Sequence, residues 1–100
     1  MPVFEQDGME IFETGAILRY IDETIPGPKL QPEDPRQRAR MNQIMAILDN
    51  YTFKPVVVDI VVQRVVKPML GQPTDEKIIT DAIPLAKKAL GAIANLMGKN

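Results

Sequence analysis

Four prolines, Pro26, Pro28, Pro32 and Pro35, fall within ten consecutive residues of this 100-residue chain and constrain its fold more than any other feature. Proline has no backbone N–H to donate and pushes its predecessor out of the helical region, so neither a helix nor a central strand can run through the stretch. The chain is thereby divided into a segment over residues 1–25, a polar linker over 26–34 and a longer segment over 35–100. Such a length suffices for one small domain, which buries a smaller fraction of its surface than a chain twice as long.

Ahead of the linker, the runs Val3 to Gln6 and Met9 to Phe12 are separated by Asp7-Gly8, a pair that readily takes the positive φ angles of a two-residue type I′ turn. This predicts a β-hairpin. Thr14 and Gly15 then open a pattern in which Ile17, Tyr20 and Ile21 share one helical face, with Ala16 and Leu18 at its edges. The helix is expected to end near Thr24, ahead of Ile25-Pro26-Gly27-Pro28.

After the linker, Asp34 suits an N-cap and Pro35 the first helical position. Met41, Ile44, Met45, Leu48 and Tyr51 step by three and four, as a helix requires. The valine-rich run after Pro55 invites a strand on β-branched content. Yet Asp59, Gln63 and Lys67 are four apart, and Val57, Val58, Val61, Val62, Val65 and Val66 fall on the complementary apolar arc. That pattern predicts an amphipathic helix continuing the previous one through a kink at Pro55. Pro68, Gly71 and Pro73 make the next break. Thr74 is expected to cap a last helix, with Asp75 and Glu76 favourably placed against its dipole. Ile79, Ile83, Ala86, Leu90, Ile93 and Met97 mark its expected buried face, Pro84 bends it and Gly98 stops it. The fold class is therefore α+β and predominantly helical: a hairpin and one helix, then two long antiparallel helices, each bent at a proline.

A formal net charge of −1 supplies no field that would draw the chain to nucleic acid or an anionic membrane. With neither cysteine nor histidine, the chain forms no disulfide, offers no thiolate or imidazole for catalysis and lacks the usual zinc ligands, so no metal is expected. Its opening does not read as a secretory signal, and the apolar stretch Val56 to Val66 is too short and too interrupted to span a bilayer. The sequence reads as a soluble, cytoplasmic protein.

Chemistry concentrates at Glu13-Thr14-Gly15. A hydroxyl at a helix mouth can accept an N–H of the first turn or donate to a ligand carboxylate, and the helix dipole favours the anion. Glu13 can accept hydrogen bonds from a ligand ammonium, so the pair can read a zwitterion. Taken alone, the two residues read more simply as a cap and a solvated charge. Their surroundings favour the ligand. With Met1-Pro2-Val3-Phe4-Glu5-Gln6-Asp7-Gly8 before it and Gly15-Ala16-Ile17-Leu18-Arg19-Tyr20-Ile21-Asp22 after it, the segment resembles the glutathione-binding part of the glutathione S-transferase family. The similarity continues through the proline-rich linker and Arg36-Gln37-Arg38-Ala39-Arg40-Met41-Asn42-Gln43, the opening of the family's helical domain.

By that resemblance Pro2 matches the family's cis-proline, and Met1 the residue whose backbone pairs with the cysteinyl part of glutathione. Glu13-Thr14 matches the acidic-hydroxyl pair that grips the γ-glutamyl end, with Thr in place of the commoner Ser. Residues 1–25 would then be the second half of a thioredoxin-like domain, and 35–100 the first helices of an all-α domain. The family's activity is conjugation of the glutathione thiolate to a hydrophobic electrophile, usually by a homodimer. The family carries its thiolate-activating Tyr, Ser or Cys on elements that would precede Pro2, and further helices that would follow Asn100. The isolated chain is accordingly expected to be inactive, and no catalytic residue is named in it. Tyr20 and Tyr51 are read as packing residues, Met45 and Phe53 with Tyr51 as ordinary core, and Arg36, Arg38 and Arg40 as a solvated helix start. The alternative is a non-enzymatic module that associates with a partner or with itself, since a two-stranded hairpin is marginal alone.

Overall fold

Asp7 and Gly8 take φ angles of 51° and 84°, so the turn expected from this pair joins β1 (Val3–Gln6) to β2 (Met9–Phe12). The computed structural model describes residues 2–98, and its contacts divide it into two units, one ending at Met41 and the other beginning at Asn42. In the first unit β1 and β2 pair antiparallel, Val3 opposite Phe12 and Phe4 opposite Ile11. Side chains alternate along a strand, and Phe4, Gln6 and Ile11 are the half-buried ones. Helix α1 (Thr14–Thr24) packs against β2. Its Tyr20 ring lies 6.0 Å from that of Phe4, and the Tyr20 hydroxyl donates to Gln6 Oε1 at 2.8 Å. Tyr20 is thus a packing residue with a satisfied hydroxyl.

The linker is fastened to α1 by one carboxylate. Asp22 accepts hydrogen bonds from the backbone N–H of Leu30 (2.7 Å) and of Gln31 (3.1 Å) and from the Gln31 amide (3.1 Å). The Leu30 N–H, above all, holds the Asp22 carboxyl below its usual range. Arg38 donates to the carbonyls of Pro32 (3.1 Å) and Glu33 (2.9 Å), so this member of the arginine cluster has a structural task rather than being only solvated. As expected, Asp34 caps α2 (Pro35–Ile47): its Oδ2 accepts from the Gln37 N–H at 3.3 Å.

In the second unit the chain runs on as a π-helical segment over Leu48–Val66, closed at its end by Lys67 N–H donating to Val62 O, and then as α3 (Lys67–Met69). The helix passes through Pro55 as anticipated, but in wider, i to i+5 winding. Two features of the sequence disfavour α winding here. Pro55 cannot supply the N–H that the Tyr51 carbonyl would take in an α-helix, and paired β-branched valines crowd a tight turn. Gly71, at φ 69°, ends this stretch: Gly71 N–H donates to Pro68 O (3.1 Å) and Gln72 N–H to Lys67 O (2.8 Å), the paired bonds of a Schellman stop.

Helix α4 (Glu76–Met97) packs along the π-helical segment. Its cap is Asp75, whose side chain accepts from Lys77 N–H at 3.0 Å, and not Thr74 as the sequence suggested. Thr74 is diverted: its hydroxyl donates to Gln63 O at 3.1 Å. The buried face is Ile79, Ala82, Ala86, Ala89 and Ile93, a three-four alternation, whereas Ile83, Leu90 and Met97 of the expected face are exposed. Alanines at the contact allow close approach of the two backbones, and this selects the narrower seam. Gly98, at φ 69°, follows the last helical residue.

The π-helical segment faces opposite to expectation. Gln63 is 4% exposed, while Val57, Val58, Val61, Val65 and Val66 are each more than a third exposed. The reason is that Gln63 is used by the turn entering α4, its carbonyl by Thr74 and its Oε1 by Asp75 N–H at 2.9 Å. Tyr51 and Phe53, read from sequence as core, are also exposed, at 65% and 57%, while Thr52 and Pro55 are the buried residues of that turn.

Candidate functional site

The residues singled out at the start of α1 form an open helix mouth. Glu13 is the N-cap, with φ 77° and ψ 111°, and its carbonyl accepts the Ile17 N–H at 3.0 Å. Thr14 is the first helical residue rather than the cap. No side chain caps α1, so the N–H groups of its first turn point out unfilled. The Glu13 carboxylate and the Thr14 hydroxyl are exposed, and neither has a partner among the described residues. An acceptor of negative charge, a hydroxyl donor and a set of free N–H groups therefore stand within two consecutive residues and the turn they begin. Such a mouth suits an anionic group on the helix axis beside a cationic group on the carboxylate.

The backbone at Glu13 is the feature that residue types did not reveal. A positive φ on a non-glycine residue is uncommon, and here it coincides with the suspected ligand contact. Pro2 precedes β1 and is exposed. Met1, and with it the Met1–Pro2 peptide bond expected to be cis, lies outside the described residues. Tyr51 belongs to the second unit and Tyr20 is occupied by Gln6, so neither is assigned to this mouth. Among the described residues no helix is long and apolar enough to cross a membrane.

Comparison with known proteins bears on the same segment. The profile of the family described as "Glutathione S-transferase, N-terminal domain" matches residues 1–23. A glutathione S-transferase of Hyoscyamus muticus is 34% identical over 83 residues, covering 81% of this chain and 39% of that protein. Glutathione S-transferase F14 of Arabidopsis thaliana is 30% identical over 98 residues, 96% of this chain and 37% of the relative. Among solved structures, glutathione S-transferase I bound with lactoylglutathione superposes with a TM-score of 0.68 at 23% identity, over 92% of this chain and 44% of that one. At that identity the likeness speaks for the fold: a hairpin with its helix, followed by packed long helices. The chain spans about two fifths of the length of the relatives it matches.

Proposed function

The chain belongs to the glutathione S-transferase family, and from that premise we propose that its first unit binds the γ-glutamyl end of glutathione at Glu13 and Thr14. The observation that carries this reading is Glu13 itself, held at positive φ with an unpaired carboxylate beside an uncapped helix start. The ligand ammonium lies on the Glu13 carboxylate. The ligand α-carboxylate takes the Thr14 hydroxyl and the first-turn N–H groups, where the dipole of α1 favours negative charge. The backbone at Met1-Pro2 pairs with the cysteinyl part, setting the direction of the sulfur.

Conjugation is the reaction this binding serves. The glutathione sulfur, as thiolate, forms a bond to an electrophilic carbon of a hydrophobic substrate. A leaving group departs with its electron pair, or an activated alkene takes up a proton at the neighbouring carbon. A thiol with a pKa of about 8.5 needs a directed donor or a positive field to ionise at neutral pH. The tyrosine of the first unit is spent on Gln6, so the chain by itself grips the tripeptide without activating it. The reading includes a cytoplasmic setting and a homodimer, and it assigns residues 1–25 to the glutathione-binding half-domain, 26–34 to a linker and 35–100 to the helical domain.

A ligand that binds only the folded state must raise its apparent stability. Thermal unfolding in millimolar glutathione should therefore shift upward. Thr14→Ala should reduce the shift by weakening affinity about tenfold or more, which is what a charge-assisted hydrogen bond contributes. A folded sample with no shift would remove the pair from the site, and a Thr14→Ala variant with the wild-type shift would remove Thr14.

A further inference from the structure

Within the first unit, the linker between α1 and α2 lies as a strap whose two ends are held by different means. At the α2 end Arg38 donates to the carbonyls of Pro32 and Glu33. At the α1 end Asp22 alone receives four hydrogen bonds from the linker: its carboxylate takes the N–H groups of Leu30 and Gln31 and the Gln31 amide, and its main-chain carbonyl takes the Lys29 ammonium. Pro26 and Pro28 have no N–H to add. Leu30 is 86% exposed, so apolar burial does not press this part of the strap onto the helix.

We propose that the strap is a proton-operated latch with Asp22 as its trigger: the carboxylate keeps residues 29–31 laid on α1, and its protonation releases them. An ionised carboxylate only accepts, which suits three converging donors. A protonated carboxyl carries an O–H of its own, so one acceptor position becomes a donor facing N–H groups. Arg38 keeps its charge at all relevant pH, and the strap therefore opens from the α1 end while the α2 end stays tied. A cavity of about 330 Å³ beside the latch gives water access to it, and the charged groups lining that cavity with Asp22 are Glu23, Lys29, Glu33 and Arg38, two of each sign. The donors decide the balance. The Leu30 N–H first, then the Gln31 groups and the Lys29 charge, hold the Asp22 carboxyl below its usual range against the opposing effect of desolvation. The strapped form is thus favoured above the ordinary aspartate range, and that preference is lost as pH falls through the lower value. Neither Glu13 nor Thr14 takes part, so the latch stands or falls independently of glutathione binding.

Trypsin cleavage after Lys29 reads the release, because the protease must draw the Lys29 side chain and the backbone at Leu30 away from α1. Asp22→Asn copies the protonated carboxyl at neutral pH. It should speed cleavage at Lys29–Leu30 about tenfold, the loss of one charge-assisted hydrogen bond, while cleavage after Lys88 in α4 keeps its wild-type rate. Glu23→Gln removes the neighbouring charge, which accepts none of these bonds, and should leave cleavage after Lys29 unchanged. Equal rates in Asp22→Asn and wild type would overturn the proposal, as would a Glu23→Gln variant that matches Asp22→Asn. The wild-type chain supplies a second measurement that needs no variant to fold. As pH is lowered, the amide resonances of Leu30 and Gln31 should move together in one step with its midpoint below the ordinary aspartate range. Separate steps for the two amides, or a step shared with the amides of α4, would equally overturn the latch.

Discussion

Glu13 holds backbone angles that side chains with a Cβ rarely adopt, at a cost of about 1–3 kcal/mol, and it does so where its own carboxylate has no partner among the described residues. Strain of this kind persists when something other than local stability selects it. Glu13→Gly should therefore relieve the backbone and raise the stability read from urea unfolding by about 1 kcal/mol, while glutathione binding is lost. A destabilised Glu13→Gly variant would instead give the side chain a structural task. Asp7 and Gly8 also have positive φ, yet their geometry was legible in the sequence because the two-residue turn demands those residue types. Nothing in the identity of Glu13 announces its backbone, which is imposed by the passage from β2 into α1. The chemical types at the site were readable, and the placement of the cap one residue earlier was not.

At the scale of elements, the hairpin, α1, the Asp34 cap and the extents of the helices follow from local signals, since turn residues, prolines and caps act over a few neighbours. Which face each long helix buries does not. The valine arc was the obvious core by hydropathy, but Gln63 enters the contact because Asp75 and Thr74 consume its hydrogen-bonding capacity, and that pairing is set by the turn between the helices. Likewise Ala82 and Ala89 displace Ile83 and Leu90 from the seam because small residues let the backbones close up. Gln63→Leu, although more apolar, should cost about 1–3 kcal/mol by leaving the Asp75 N–H unsatisfied. Urea denaturation of the variant measures this directly, and an unchanged or increased midpoint would show that the turn finds its hydrogen bond elsewhere.

For the molecule as a whole, the proposed function concerns recognition of the tripeptide. The proposed grip on the tripeptide rests on residues of the first unit, whose Tyr20 hydroxyl donates to Gln6. The family relation, the open helix mouth and the strained N-cap converge on that grip. Amide NMR of the chain during a glutathione titration tests that convergence most directly, because it reports the position of the ligand residue by residue. Saturable shifts concentrated on the amides of Thr14, Gly15 and Ala16 at the start of α1 are predicted, with the amides of the second unit unmoved. Shifts that spare the first turn of α1, or that gather on the second unit, would contradict it.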